Sequence, residues 1–310
     1  MRPYVSVGAR VLREAHAMNT AGSVGNVTPL QELNVTYRAD GKYLVARVPV
    51  ITGNAIKHHH TIYTVEHIKA LNKEKRLSES DSAYQHRYPK KIKCLNGEEI
   101  AVSDYNSPVE LENVLVPKCA IGDLHGYFTE KGARPSTIMC SFALPVEEFI
   151  RENYANIKSK IVHNRVVPTT EKDEEKGQMI FHKYYASALY GLRVDLDIRM
   201  VSRIYNDPRH PLVLDKEDKL TRIEAARKAL RDFLYTPRGA NISRALPVAK
   251  VEKLVIVLAD RPIGVIHPFY EGRDESTKKL FGNEAEIFEA EGDEGYKLFD
   301  EVLEKIKEKF

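Results

Sequence analysis

The stretch "YYASALYGLRVDLDIRM", residues 184 to 200, restricts the fold more than any other. Tyr184, Ala186, Ala188, Tyr190, Leu192, Val194, Leu196, Ile198 and Met200 take every second position. A period of two over that length means one long or bent strand with a single buried face. The chain must therefore contain a half-buried sheet. Asp195 and Asp197 share one face of the strand. Paired carboxylates can hold Mg²⁺, but alternation by itself puts them on the wet face, and that reading is preferred.

Other elements assemble around this strand. "YVSVGARVLREAHAM" reads as a strand, followed by the polar loop "NTAGSVGNVTPL". "ELNVTYRADGKYLVARVPV" is a hairpin, because alternating apolar residues flank Asp40-Gly41, a preferred type I′ turn pair. "GNAIKHHHTIYTVEHI" reads as a helix running to about Leu71, with Val65 and Ile68 at buried spacing. Residues 73 to 135 are polar and irregular and read as a long insertion with short elements of its own. "STIMCSFALPV" is strand-like and "VEEFIRENY" a short helix. In residues 157 to 181 two β-prone arms flank an acidic tip, "EKDEEKG", which predicts a protruding hairpin. "DKLTRIEAARKALRDFLY" is an amphipathic helix stopped by Pro237, "VEKLVIVLAD" a core strand and "GYKLFDEVLEKIKEKF" a final helix. Long antiparallel strands with helices imply an α+β fold compatible with a ferredoxin-like or RRM-like core.

Composition narrows the setting. A chain of 310 residues, 43% hydrophobic and 29% charged, can bury a real core. No apolar run approaches the roughly 20 residues needed to span a bilayer, and charges interrupt the N-terminal segment where a signal peptide would be apolar. A cytoplasmic location without membrane contact is expected. Cys94, Cys119 and Cys140 form no CxxC pair, which argues against a zinc ribbon or a disulfide framework. A net charge of +3 requires any nucleic-acid surface to be local. Scarce glutamine beside abundant lysine and glutamate suits a high-temperature host.

The three consecutive histidines invite a metal reading. On a helix, however, His58, His59 and His60 point in three directions. The i+3 and i+4 positions from His60 are Tyr63 and Thr64, which are also the upstream partners of His67. Ligating histidines on one helix need i, i+4 spacing, so no metal is expected. One buried or hydrogen-bonded histidine and two wet ones is the plain alternative. A third reading places Gly53, Asn54 and Lys57 at a helix N-terminus, where free N–H groups can meet a phosphate. "GDLHG" (Gly122 to Gly126) is like a metallophosphatase motif but lacks the partner motifs of a dinuclear site. No P-loop, nucleophile elbow or Rossmann fingerprint occurs. What remains is four short loops, "AHAMNTAGSVGNVT", "TGNAIKHH", "VHNRVV" and "RGANISR". Each mixes Gly or Asn with Arg, Lys or His. One such loop is only a turn; four together argue for a ribose-phosphate surface.

These stretches, in this order, resemble the Cas-seven family of the RAMP superfamily, the RNA-binding backbone subunit of CRISPR Cascade effectors, in the archaeal type I-A branch labelled DevR. The residues carrying the resemblance are "NTAGSVGNVT", "VPVITGNAIKHHH", "VHNRVVP" with "GQMIF", and "PRGANISRALP". It implies a single domain over residues 1–310, a modified RRM-like palm carrying a finger-like insertion at 73–135 and a thumb hairpin at 154–180. It implies copies stacked head to tail along a single-stranded guide RNA, other Cascade subunits as partners, target DNA reached through guide pairing, and no cofactor. The RNA-binding residues it implies are Arg13, His16, Asn19 and Asn26; Gly53, Asn54, Lys57 and His58; His163, Asn164, Arg165, Gln178 and Met179; and Arg238, Asn241 and Arg244. Met179 would be an apolar wedge against a base. RNA-cleaving relatives carry an aspartate in the loop after the first strand; His16 to Gln31 contains no acidic residue, which favours a non-catalytic subunit. Two alternatives stay open: an RNA endonuclease using His58 or His163, and a DNA-binding autoregulator, for which no helix-turn-helix spacing is visible.

Overall fold

The computed structural model describes residues 3–71, 73, 77, 91–93, 98–166, 178–238 and 246–309. The acidic hairpin tip and Gly239 lie outside them.

The long alternating stretch lies, as far as Leu196, in a strand that begins earlier at Gln178, because the distal arm of the predicted hairpin and the core strand are continuous; Ile198 to Met200, expected to extend it, form a turn instead. In chain order the strands are β1 (Tyr4–His16), β2 (Val27–Thr28), β3 (Glu32–Ala39), β4 (Lys42–Pro49), β5 (Lys91–Lys93), β6 (Glu99–Ala101), β7 (Tyr127–Thr129), β8 (Gly132–Arg134), β9 (Ile138–Cys140), β10 (Leu144–Pro145), β11 (Lys158–Val166), β12 (Gln178–Leu196), β13 (Val248–Ala259) and β14 (Ala285–Glu291). The α-helices are α1 (Gly53–Ala70), α2 (Pro108–Lys118), α3 (Ala120–His125), α4 (Glu147–Asn153), α5 (Lys216–Tyr235), α6 (Arg273–Phe281) and α7 (Glu294–Glu308). Among the described residues the main sheet runs β10-β12-β1-β13-β14, and β2, β9 and β11 also pair with β12. β2 pairs in parallel and the other pairings are antiparallel, so this is a mixed sheet in an α+β fold.

Alternation decides which face is covered by what. Val5, Val7, Ala9 and Val11 of β1, Tyr190, Leu192 and Val194 of β12, and Leu254, Ile256 and Leu258 of β13 join one cluster with α1, α5 and α7. Its helix side includes Ile56 and Tyr63, then Ile223, Leu230 and Phe233, then Phe299, Val302 and Ile306. The stripes expected on α5 and α7 are therefore the ones buried. The opposite face is closed by Ile263 and Val265, which pack on Val255 and Val257. This corrects the reading of Asp195. It is buried, accepting from Tyr4 Oη at 2.8 Å and from Ser6 Oγ and Arg193. Residues distant in sequence cover the face that alternation alone leaves to solvent. Asp197 is partly exposed and bonded by Arg199.

The β3–β4 hairpin forms with Asp40 and Gly41 both at positive φ, 49° and 74°, as a type I′ turn requires. The second hairpin pairs Lys158 with Ala186 through Val166 with Gln178. The described part of the insertion holds short elements that share a core. Ile92, Ile100, Val102, Leu111, Leu115 and Tyr127 make a small core of their own. Ser107 caps α2 by accepting from Glu110 N, with Pro108 in the first turn. "GDLHG" ties this insertion to the sheet domain. Asp123, wholly buried, bonds Arg134 at 2.6 Å, Arg222 at 2.7 Å and the Ser202 amide at 2.9 Å. Glu112 takes the other arm of Arg134 at 2.8 Å. Two cations and two carboxylates thus offset each other in the interior, as buried charges must. α6 and β14 were not anticipated from the sequence; neither has a clean period, since β14 is half-buried along most of its length.

Candidate nucleic-acid interface

α1 starts on a hydrogen-bonded cap: Thr52 Oγ1 accepts from Ala55 N at 3.2 Å. Gly53 follows because a side chain will not fit. A Cβ there would lie 2.5 Å from Cys140 O. The strand segment after Cys140 is held against this entrance, with Ile51 and Ala143 exchanging backbone hydrogen bonds at 3.1 and 2.9 Å. Asn54 and His58 are exposed and Lys57 half-buried. Burial lowers the Lys57 pKa, partly offset by Cys140. The Cys140 thiol is itself pushed up to about 12 by burial.

The first turn of α1 is a ridge between two clefts. One, of about 420 Å³, lies toward the insertion and is lined by Lys57, His58, His125, Tyr127 and Ser136. The other, of about 450 Å³, is lined by Thr52, Lys57, Met139, Cys140 and Phe142. Asn54 and Lys57 belong to both.

The loop after β1 links two of the predicted stretches, the helix entrance and the second hairpin. In the loop after β1, Asn19 Nδ2 donates to Val50 O at 3.4 Å, just before α1. Further along, Asn26 O accepts from His182 N at 2.7 Å, and β2 pairs with β12 at His182 and Lys183. The loop therefore bridges the helix entrance and the middle of the β11–β12 hairpin. In that hairpin His163 stacks on Phe181, centroids 5.1 Å apart, and Asn164 is exposed. Arg238 reaches the same helix farther along, bonding Glu66 at 2.6 Å and lying over Tyr63.

Arg13 and His16 do not present their side chains at this surface. Arg13 is buried, donates to Phe233 O at 2.7 Å, and is held at a pKa of about 9 by burial. His16 is buried against Tyr190 Oη at 3.0 Å, its pKa lowered to about 3 by burial and then by Arg13. Both point inward from β1, so they brace the loop from beneath. The side chains of Arg165, Gln178 and Met179, and the whole of Asn241 and Arg244, lie outside the described residues. His59 and His60 are both buried, which corrects the expectation of one buried and two wet histidines. His59 stacks on Phe233, and α5 and α3 cover His60. Met139 and Phe142 carried no signal in the sequence; an apolar residue left exposed beside a strand is visible only once the fold is known. Among the described residues, no three His, Cys, Asp or Glu side chains are grouped to hold a metal ion, and no helix is long and apolar enough to cross a membrane.

Residues 7–278 match the family described as CRISPR-associated negative auto-regulator DevR/Csa2. The chain belongs to this family. It is 31% identical to a "CRISPR-associated protein Cas7/Cst2/DevR" of Methanocaldococcus jannaschii, over 98% of this chain and 97% of that one. It is 27% identical to a "CRISPR-associated aCascade subunit Cas7/Csa2 2" of Saccharolobus solfataricus, over 83% and 80% of the two chains. A chain of a solved "CRISPR RNA-guided surveillance complex, pre-nicking" is similar in fold, with a TM-score of 0.52 at 11% identity over 93% of this chain and 92% of that one. The DevR/Csa2 assignment thus spans the sheet domain, the insertion and the hairpin together.

Proposed function

We propose that this chain is a non-catalytic subunit that binds a single-stranded guide RNA and assembles head to tail along it, as the backbone of a type I-A Cascade complex. The observation carrying this reading is that the loop after β1 links the entrance of α1 to the middle of the β11–β12 hairpin in one band. The loop in that band has no acidic residue from His16 to Gln31, so it offers hydrogen-bond donors and no like charge to the backbone of an RNA, while Lys57 at the helix entrance supplies a cation. The DevR/Csa2 family and the relative named as an aCascade subunit support the setting. In this reading the main sheet is the palm. The strand order β10-β12-β1-β13, with α1 and α5 as the crossovers, matches the ferredoxin-like βαββαβ arrangement. Residues 73–135 are the fingers and 154–180 the thumb.

The test is size-exclusion chromatography with light scattering, using single-stranded RNA of two lengths, beside a cleavage gel. Mass rising stepwise with RNA length, with the RNA intact, supports the proposal. A monomer that cuts RNA would instead favour a histidine-dependent endonuclease. Preference for duplex DNA would favour the autoregulator named in the family description.

A further inference from the structure

The two clefts beside α1 share Asn54 and Lys57 and both mix polar with apolar walls, but one of them also presents a pair of exposed apolar side chains. The cleft toward the insertion is lined by Lys57, His58, Tyr127 and Ser136. The other carries the two exposed apolar side chains, Met139 at 43% and Phe142 at 42% exposure, beside Thr52, Asn54 and Lys57. No carboxylate lines either one. Lys57 stands between them. An RNA chain repeats a flat π-face and an anion at every residue, and proteins that hold single strands pair an aromatic platform with a cationic groove.

Phe142 is fixed in place although its ring is exposed. Its carbonyl accepts from His267 Nε2 at 3.1 Å and from Ser141 Oγ at 2.9 Å. His267 is locked in that role because its Nδ1 accepts from Phe269 N at 3.2 Å. The next residue, Ala143, is tied to Ile51 at the entrance of α1. A ring on a pinned backbone loses little freedom when a base stacks on it.

We propose that α1's first turn straddles one nucleotide of the bound RNA, the base against Phe142 and Met139, its phosphate on the side of Lys57 and His58. This rests on the RNA-binding reading above and adds a base-contacting platform to it. Recognition of this kind is sequence-tolerant, since every base has a π-face.

The test uses the full chain with single-stranded RNA, and with the same RNA made abasic throughout the bound length. Phe142→Ala should weaken binding about tenfold on normal RNA and leave the salt dependence unchanged. On abasic RNA that loss should vanish. Lys57→Gln should weaken both RNAs and lower the slope of log K against log salt by about one. Phe142→Leu, which keeps an apolar side chain, controls for folding and should fall between wild type and Phe142→Ala. An equal Phe142→Ala loss on normal and abasic RNA overturns the platform. So does unchanged binding of one copy with loss of higher assemblies, which would make Phe142 a protein contact. If the wild-type chain binds no RNA at all, the broader proposal fails instead.

Discussion

His60 Nδ1 lies 3.1 Å from Nε2 of His125, in the interior where α1, α3 and α5 meet. The other His60 nitrogen is 2.8 Å from Ala226 O and must donate to it. Nδ1 is then an acceptor and His125 Nε2–H the donor. A proton added to His60 would set two N–H groups against each other. Burial, the largest cause, holds the His60 pKa down at about 4. His59 is likewise held at about 4 and His16 at about 3, mainly by burial.

These three histidines set an acid limit on stability. In the unfolded chain each titrates near 6.5, so below that pH the unfolded state binds more protons than the folded one. Their stabilisation is full above pH 6.5 and is lost as pH falls toward 4. At pH 5 each should cost roughly 2 kcal/mol relative to pH 8. Urea denaturation at the two pH values measures this, and His60→Gln should reduce the difference. Equal midpoints for the wild type at pH 5 and pH 8 would contradict the buried-neutral assignment.

Asp123→Asn removes one carboxylate from the buried four-charge cluster. Arg134 and Arg222 would keep their charges while losing a shared partner. Such losses cost about 3–5 kcal/mol. Thermal melting should show a drop of several degrees, or failure to fold, and Asp123→Glu should not restore the wild-type value because the cluster has no spare room. A neutral Asp123→Asn would mean that "GDLHG" is dispensable for docking the insertion.

Much of the fold was legible because periodicity is local. The alternation around Tyr190, the Asp40-Gly41 turn and the stripes of α5 and α7 are written in neighbouring residues. Asp195 was misread because what buries it, Ser6 and the segment around Val265, arrives from nearly 200 residues away and from beyond β13. The small core shared by the insertion's short elements was not legible, because it draws on scattered apolar residues between charged ones. At the candidate interface, Asn54, Lys57 and His58 were visible as a helix entrance. Arg13 and His16 were not separable from surface residues, since a cation followed by polar neighbours looks the same whichever way its strand faces.

Gly53→Ala tests how tightly the entrance of α1 is built. The added methyl would sit 2.5 Å from Cys140 O, a backbone atom that cannot swing aside. Relief requires the 140–143 segment and α1 to separate. The expected cost is about 1–3 kcal/mol, as for other overpacked sites. Calorimetry gives the stability. RNA affinity should fall as well, because the same shift carries Phe142 away from Lys57. A variant as stable as the wild type would show that the segment yields freely.

Lys57 offers a pH signature in the alkaline range. Burial lowers its pKa from the usual lysine value, so as pH rises it loses its proton before exposed lysines do. Binding of a hydrolysis-resistant 2′-O-methyl RNA should weaken as pH rises toward the ordinary lysine range, before exposed lysines lose their protons, with the slope against salt falling by about one as that charge disappears. Lys57→Arg keeps its charge throughout this range and should flatten the profile. Lys57→Gln should be weak at every pH and equally flat. If all three chains lose affinity in parallel, the alkaline loss belongs to other groups, and Lys57 does not contact the phosphate.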